Sequence, residues 1–149
     1  MKADGEMGWR WVDTHDVLAV PYDVPIPGYH NGTVNTLRLW SAAATDEFDF
    51  EDFNAGSYTE AVGAKNMAEN ITMVLYPNDA TESGKELRLR QQYFLASASL
   101  QDVIRQWVRI HGEDFTEFAD RNMFQLNDTH HTIAVAELMR LLVDEHGVG

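Results

Sequence analysis

The apolar residues near the start of the chain occur in short runs separated by turn-forming residues, a pattern typical of β-strands. Val17–Val20 form one run and Val34–Trp40 form another. Between them, prolines 21, 25 and 27 preclude a helix and favour extended backbone. Asn31-Gly32 is a tight-turn dipeptide, so Gly28–Thr33 is predicted to link two strands. The sequence therefore predicts a β-rich part over residues 1–42, with its strands within 9–42.

Helical patterns follow further along the chain. Ser57-x-x-Glu60 is a capping box that opens a predicted helix over 57–75, whose ragged apolar stripe favours packing on a partner. Asn78–Gly84 is a polar loop. The strongest helical pattern spans about 86–110, because six apolar residues keep the spacing of one buried helix face. They are Tyr93, Ala96, Leu100, Val103, Ile104 and Trp107.

Residues 123–130 (MFQLNDTH) combine a short apolar run with a polar quartet. Met123, Phe124 and Leu126 predict a buried strand at 123–127, and a helical pattern begins at Ile133. Polar residues at the carboxyl end of a strand lie where open α/β sheets bind ligands. In extended backbone, Asp128 and His130 would face the same side and share a pocket. The alternative is that Asp128 or Thr129 only caps the following helix.

Composition narrows the classes of function and partner. The chain has 149 residues, which suits one compact domain, and 11 basic against 24 acidic residues, a net charge of −13. Nucleic-acid binding would require a basic surface, so it is not expected. The absence of cysteine excludes disulfides and thiolate metal sites. No apolar run is long enough to span a membrane and the first residues do not resemble a signal peptide, so we expect a cytoplasmic protein.

Five blocks of the sequence resemble the α-glucan phosphorylase family of glycogen, starch and maltodextrin phosphorylases, in the family's order. They are Ala19–Tyr29, Thr33–Ala42, Asp52–Gly56, Leu75–Phe94 and Met123–His130. The matched part of the family is an interior segment of its amino-terminal half. The resemblance implies an α/β fold: residues 1–149 would be a single, partial amino-terminal domain of a two-domain glycosyltransferase of the GT-B type. Its β-rich start would be followed by long helices, and its 86–149 part would end in a Rossmann-like strand and helix.

The resemblance also implies an activity. Family members cleave α-1,4-glucan with inorganic phosphate to give glucose 1-phosphate, act as homodimers and carry pyridoxal phosphate on a lysine of the carboxyl-terminal half. None of Lys2, Lys65 and Lys85 lies in a segment that matches this cofactor motif. We therefore expect no bound pyridoxal phosphate, no catalytic residue within these 149 residues and no turnover by the isolated chain.

Residue by residue, the resemblance assigns three groups. The substrate and channel residues are Asp79, Arg88, Asp128 and His130. The gating loop over the channel includes Asn78, Asp79 and Gly84. The helix over 57–75 would lie at the dimer interface, with Tyr58, Val62 and Asn66 as contact residues.

Two other classes of function stay open at this point. The first is a non-catalytic module that binds oligosaccharide or mediates dimerisation. The second is a small metal-dependent hydrolase built on Asp128, His130 and His131. Metal binding is disfavoured, because neighbouring histidines in extended backbone point to opposite sides.

Overall fold

The structure is a computed structural model that describes residues 11–45, 54–59 and 62–149. Two strands come first, β1 at Val17–Pro27 and β2 at Val34–Ala44. Helices α1, α2 and α3 then span Gly63–Met73, Glu82–His111 and Phe118–Arg121. A 3₁₀ turn at Thr129–His131 leads into helix α4 at Ile133–Met139, which continues as π-helix over Arg140–Glu145. The predictions on residues 1–10 and on Glu60 of the capping box lie outside the described residues, as does Asp52 of the matching block Asp52–Gly56.

Strands β1 and β2 form an antiparallel hairpin, as the sequence predicts, and both are longer than the apolar runs. The register places Asp23 opposite Arg38 and Val24 opposite Leu37. At the turn, Gly28 N donates to Thr33 O over 2.8 Å, and Thr33 N donates to the Asn31 side chain over 3.0 Å. The prediction that Gly28–Thr33 links two strands is therefore confirmed.

The three prolines of β1 all occupy odd-numbered positions, so they share one side of the strand. Pro21, Pro25 and Pro27 pair with Trp40, Thr36 and Val34. Proline has no N–H, so it is tolerated in a strand only where that group would point away from the partner strand. The N–H groups of β1 that face β2 therefore come from the even-numbered residues.

The chain divides into two compact units, one formed by His15–Phe94 and the other by Leu95–Gly149 with the described residues up to Thr14. In the first unit α1 packs on β2, where Ala42, Ala68 and Ile71 are buried. Ala42 N donates to Thr72 Oγ1 over 3.0 Å. The second unit has its own apolar core, composed of Leu100, Ile104, Trp107, Phe118 and Leu141.

The predicted helices are present, with different bounds. Helix α2 covers the whole predicted span 86–110 and begins four residues earlier. Helix α1 is shorter than the predicted 57–75, because Ser57 precedes a turn and the helix begins only at Gly63. No helix in the described ranges combines the length and apolarity that a bilayer crossing requires.

The prediction of a buried strand at 123–127 is wrong. Residues 122–127 have no regular secondary structure, and the Met123 side chain is 93% exposed. A strand requires a hydrogen-bonded partner, and the two strands of the described part pair with each other. In place of the Rossmann-like strand and helix predicted for the end of the chain, the structure has residues without regular secondary structure, a 3₁₀ turn and a helix.

Candidate functional site

The loop Tyr76–Gly84 is closed by an ion pair between Asp79 and Arg88. Arg88, on the first turns of α2, donates through Nη1 to Asp79 Oδ2. The guanidinium carbon of Arg88 also lies 5.4 Å from the centroid of the Tyr76 ring, within the range of a cation–π contact. The sequence did not single out Tyr76, and its backbone is unusual because φ is 54°, a value uncommon outside glycine. Two of the predicted channel residues, Asp79 and Arg88, are thus in direct contact.

Short-range hydrogen bonds shape the rest of this loop. Asn78 Oδ1 accepts from Ala80 N over 2.8 Å, and Thr81 Oγ1 accepts from Gly84 N over 3.1 Å. Gly84 lies so close to the Asn78 carbonyl that an added Cβ would be 2.0 Å from its oxygen. The predicted gating residues Asn78, Asp79 and Gly84 therefore form one small, internally bonded structure.

Asp128 and His130 come together in the second unit, through a geometry different from the predicted one. His130 Nδ1 lies 3.1 Å from Asp128 Oδ2. The backbone between them is a 3₁₀ turn rather than extended, and Asp128 itself has φ 66°. The expectation that His130 and His131 lie in extended backbone was therefore wrong, although the two side chains expected to share a site do contact each other.

Asp128 also caps the 3₁₀ turn, whereas the alternative interpretation had it or Thr129 capping the following helix; α4 instead has Thr132 at its N-cap position. Asp128 Oδ1 accepts from Thr129 N over 2.6 Å at the start of the 3₁₀ turn. This backbone hydrogen bond, and then the nearby His130, hold the pKa of the Asp128 carboxyl below its usual value. The carboxylate is exposed and keeps acceptor capacity beyond the cap, while the half-buried His130 offers a second polar group beside it. Adjacent groups of this kind suit the paired hydroxyls of a sugar.

The two pairs belong to different compact units: Asp79 and Arg88 to His15–Phe94, Asp128 and His130 to the other. Of the three residues predicted at a dimer interface, Tyr58 lies in a turn before α1, Val62 is at its N-cap position and Asn66 is in its first turn. Tyr58 and Asn66 are exposed, and Val62 is half-buried at the N-cap position. Their role stays a prediction.

Sequence reasoning missed a buried polar network behind the 3₁₀ turn. Glu137 of α4 is only 3% exposed, and it accepts from Ser97 Oγ over 2.6 Å. Arg140 donates to both carboxylate oxygens of Glu137, over 2.8 and 2.9 Å, and to Glu145 over 2.5 Å. The hydrogen bonds to Glu137 raise the pKa of Arg140 above its usual value.

A signal for this network existed in the sequence. Glu137 stands four residues after Ile133 and four before Leu141, so it occupies the inward stripe of the helix. A carboxylate on such a stripe is buried only when it is paired. That spacing predicts a buried partner, although it does not say which residue provides it.

Neither of the two lysines in the described ranges has the surroundings typical of a Schiff-base lysine. A Schiff-base lysine is kept neutral by burial or by neighbouring cations. Lys85 instead pairs with Glu82 over 2.8 Å at the surface, and Lys65 lies 3.9 Å from Glu69. Lys2 lies outside the described residues. Nor does the part of the chain that the structure describes contain a group of three or more histidine, aspartate or glutamate side chains arranged to hold a metal ion.

Comparisons with known proteins agree on one family. The model of the carbohydrate phosphorylase family matches residues 1–149. The chain is 54% identical over 144 residues to the liver form of glycogen phosphorylase from Homo sapiens, a match that covers 92% of this chain and 17% of that relative. It is 53% identical over 148 residues to the muscle form from Ovis aries and 54% identical over 147 residues to the brain form from Bos taurus, with 93% and 92% of this chain covered. The chain thus spans 17% of the length of these curated relatives.

Proposed function

The chain belongs to the carbohydrate phosphorylase family, and we propose that it forms one segment of an enzyme that cleaves α-1,4-glucan with inorganic phosphate to release glucose 1-phosphate. The observation that carries this proposal is the family match over residues 1–149 together with 54% identity to a glycogen phosphorylase. Identity of this degree over nearly the whole chain favours a phosphorylase segment over an unrelated sugar-binding module or a metal-dependent hydrolase.

In this proposal the turn at Asp128–His130 contacts the glucan. The Asp128 carboxylate accepts hydrogen bonds from sugar hydroxyls, and the His130 ring nitrogens donate or accept according to the tautomer. Two hydrogen bonds between side chain and backbone hold this pair in place before the sugar binds. They are the cap bond from Thr129 N and the hydrogen bond of 2.6 Å from Thr132 Oγ1 to Thr129 O.

The loop Asn78–Gly84 is proposed as a gate beside the substrate channel. Its closed form is supported by the Asp79–Arg88 ion pair and by the Tyr76 ring over the Arg88 guanidinium. Both groups of the pair are partly exposed, so their interaction is weak enough to exchange with other partners. A loop held in this way can open without unfolding the helix behind it.

The remaining assignments concern the longer protein. We propose that residues 1–149 form part of the amino-terminal domain of a two-domain, GT-B type enzyme, with a β-rich part over 1–42 and a helical part over 86–149. Helix α1 and Tyr58, Val62 and Asn66 would contact a second subunit of a homodimer. The enzyme would be cytoplasmic and would take no nucleic acid or membrane as a partner. Pyridoxal phosphate supplies the proton-handling phosphate group in the family, and we propose that it is held outside these residues.

The test is a chimaeric enzyme in which this chain replaces the matching segment of human liver glycogen phosphorylase. With maltodextrin and inorganic phosphate, the chimaera is expected to form glucose 1-phosphate, and the isolated chain is expected to form none. A chimaera that folds and binds pyridoxal phosphate but has no activity would contradict the proposal. Activity of the isolated chain would contradict the assignment of the catalytic group to another part of the protein.

A further inference from the structure

One face of the β1–β2 hairpin is apolar and exposed, and we propose that it is a contact surface for the part of a phosphorylase polypeptide outside this segment. The inference rests on the proposed function, since it takes the chain as a segment of a longer enzyme. We call this surface the apolar hairpin face. It consists of Leu18, Val20, Tyr22, Val24 and Ile26 of β1 with Asn35, Leu37, Leu39, Ser41 and Ala43 of β2.

The register defines the face. Successive side chains of a strand point to opposite sides of a sheet, so residues two apart share a side. Val24 lies opposite Leu37, and Tyr22 lies opposite Leu39, which brings large apolar side chains together across the two strands. The ten positions of the apolar hairpin face include no charged residue.

The opposite face of the same hairpin has a different character. It carries Asp23 and Arg38, which form two hydrogen bonds of 2.7 Å, from Arg38 Nε and Nη2 to the two carboxylate oxygens. The Arg38 guanidinium also lies 5.7 Å from the centroid of the Trp40 ring. Ala42, buried within the unit, belongs to this face as well. The charged face therefore carries an ion pair, a cation–π contact and a buried position.

The apolar hairpin face is exposed to a degree unusual for such residues. Six of its large apolar residues are between 41% and 58% exposed. They are Leu18, Tyr22, Val24, Ile26, Leu37 and Leu39. A soluble antiparallel sheet normally alternates apolar residues toward the core with polar residues toward water. A contiguous apolar patch of this kind marks a contact with another layer of protein.

The stability of the hairpin gives a second reason. An isolated two-stranded hairpin is marginally stable in water, and it needs further strands or a packed layer on its apolar face. In His15–Phe94, α1 is the element that packs on β2, and it buries Ala42 of the charged face. A layer on the apolar hairpin face would complete a sheet packed on both sides.

The lengths of the relatives identify the occupant. The match spans 17% of each relative, so most of a phosphorylase polypeptide lies outside it and is available to pack against this face. The proposed occupant is therefore an apolar layer of the same family's polypeptide. A second copy of this chain is the competing occupant, and the experiment below distinguishes it by dilution.

The test uses the absence of cysteine from this chain, which allows one reactive thiol to be placed at will. Leu37→Cys places it on the apolar hairpin face, and the neighbouring Thr36→Cys places it on the charged face as a matched control. Each variant is made in the isolated chain and in the chimaera with human liver glycogen phosphorylase. Alkylation by iodoacetamide is followed by mass spectrometry of the peptide that contains the new cysteine.

We expect both cysteines to react rapidly in the isolated chain. In the chimaera, the cysteine at 37 should react about ten-fold or more slowly than in the isolated chain, because it is protected until the structure opens locally. Equal reactivity at 37 in the isolated chain and the folded chimaera would overturn the proposal. If the cysteine at 37 is protected from alkylation in the isolated chain, and dilution removes this protection, the occupant is a second copy of the chain. That result would overturn the proposal.

Activity and alkylation separate the two proposals. An active chimaera with an unprotected cysteine at 37 rejects the contact surface and leaves the proposed function standing. A folded, inactive chimaera with a protected cysteine at 37 rejects the proposed function and supports the contact surface. A chimaera that fails to fold with the unmodified chain rejects both, because the chain then does not substitute for the family's segment.

Discussion

A Cβ atom on Gly84 would lie 2.0 Å from the backbone carbonyl oxygen of Asn78 and 3.2 Å from Asp79 Cα. A Cβ contact of 2.0 Å essentially never occurs in folded proteins, and the atoms in the way belong to the backbone rather than to a mobile side chain. The loop predicted to gate a substrate channel can therefore reach its position only because residue 84 has no side chain. The close approach packs the backbone of Asn78 against the first turn of α2.

Gly84→Ala should destabilise the chain by about 1–3 kcal/mol, the usual cost of forcing an extra methyl group into an occupied space. Replacing glycine by alanine in an open helical position has the opposite sign, with a gain of about 0.5–1 kcal/mol. Gly63 provides that control, because it lies in α1 and its Cβ would meet no atom within 4 Å. Urea denaturation of both variants measures the difference, and a stabilised Gly84→Ala would contradict the close approach.

The buried carboxylate of Glu137 should be among the most sensitive positions of the second unit. Removal of one partner of a buried ion pair costs ~3–5 kcal/mol. Glu137→Ala is expected near the lower end of that range, because Arg140 keeps its hydrogen bond to Glu145. The control is Glu82→Ala, which removes an exposed pair with Lys85 and should cost no more than about 1 kcal/mol. If the two variants lose a similar amount of unfolding free energy, the buried network does not stabilise the packing of α4.

The double variant Glu137→Leu with Arg140→Met distinguishes burial from charge. If the cost in Glu137→Ala comes from a charge left without its main partner, removal of both charged groups should recover much of the lost stability. A double variant as unstable as Glu137→Ala would show that shape, rather than charge, governs this position. Thermal unfolding followed by circular dichroism is sufficient for the comparison.

The Asp128 carboxyl should titrate below its ordinary pKa of about 3.9, with Thr129 N–H as the main cause and His130 as the second. Because folding lowers this pKa, ionised Asp128 stabilises the fold above the unfolded-state pKa. That contribution is lost as pH falls through the lower folded-state pKa. His130→Ala should raise the pKa of Asp128 toward its ordinary value. The pKa should stay below that value, because the backbone hydrogen bond from Thr129 remains. Carboxyl-detected NMR titration measures the change.

Asp114 is the internal control for that titration. Hydrogen bonds from Thr116 lower the pKa of the Asp114 carboxyl, and His130 is not among the causes. Its titration should therefore be the same in the wild-type chain and in His130→Ala. A shift of the same size at both carboxyls would indicate a general change of fold instead of a local contact.

In the active chimaera, His130→Ala should reduce the rate of glucan phosphorolysis by about ten- to a hundred-fold, as expected for the loss of one hydrogen-bonding group to the sugar. The melting temperature should change little, since the cap bond to Asp128 comes from Thr129. His15→Ala, at an exposed position, is the matched control. Full activity in His130→Ala would remove His130 from the sugar site. Loss of wild-type activity on addition of a chelator would indicate a metal-dependent reaction instead.

Elements that depend on local sequence could be predicted from this chain, and those that depend on distant partners could not. Helix α2 was predictable because a buried helix face repeats every three to four residues over its whole length. The hairpin followed from prolines and an Asn-Gly turn. The apolar run at Met123, Phe124 and Leu126 was misread as a strand because strand formation depends on a partner that no local pattern reveals.

The candidate site divides in the same way. Asp128 and His130 are two residues apart, so their contact could be anticipated, whereas the positive φ of Asp128 that produces it could not. Ser97 and Glu137 are 40 positions apart, and only the tertiary structure brings the hydroxyl to the carboxylate. The Arg88 contact with the Tyr76 ring could not be predicted, because it depends on the positive φ of Tyr76 and on how the loop turns back toward α2.

The three prolines of β1 have a consequence for aggregation. Residues 21, 25 and 27 leave the outer edge of this strand without three N–H groups that an incoming strand would need as hydrogen-bond donors. Exposed strand edges commonly recruit other chains into intermolecular sheets and fibrils. An incoming strand would find no donor at these three positions, so an intermolecular sheet is disfavoured at this edge of β1. This holds even though the neighbouring side chains are apolar. Newly synthesised chains are thereby protected at the strand edge while the apolar side chains remain exposed.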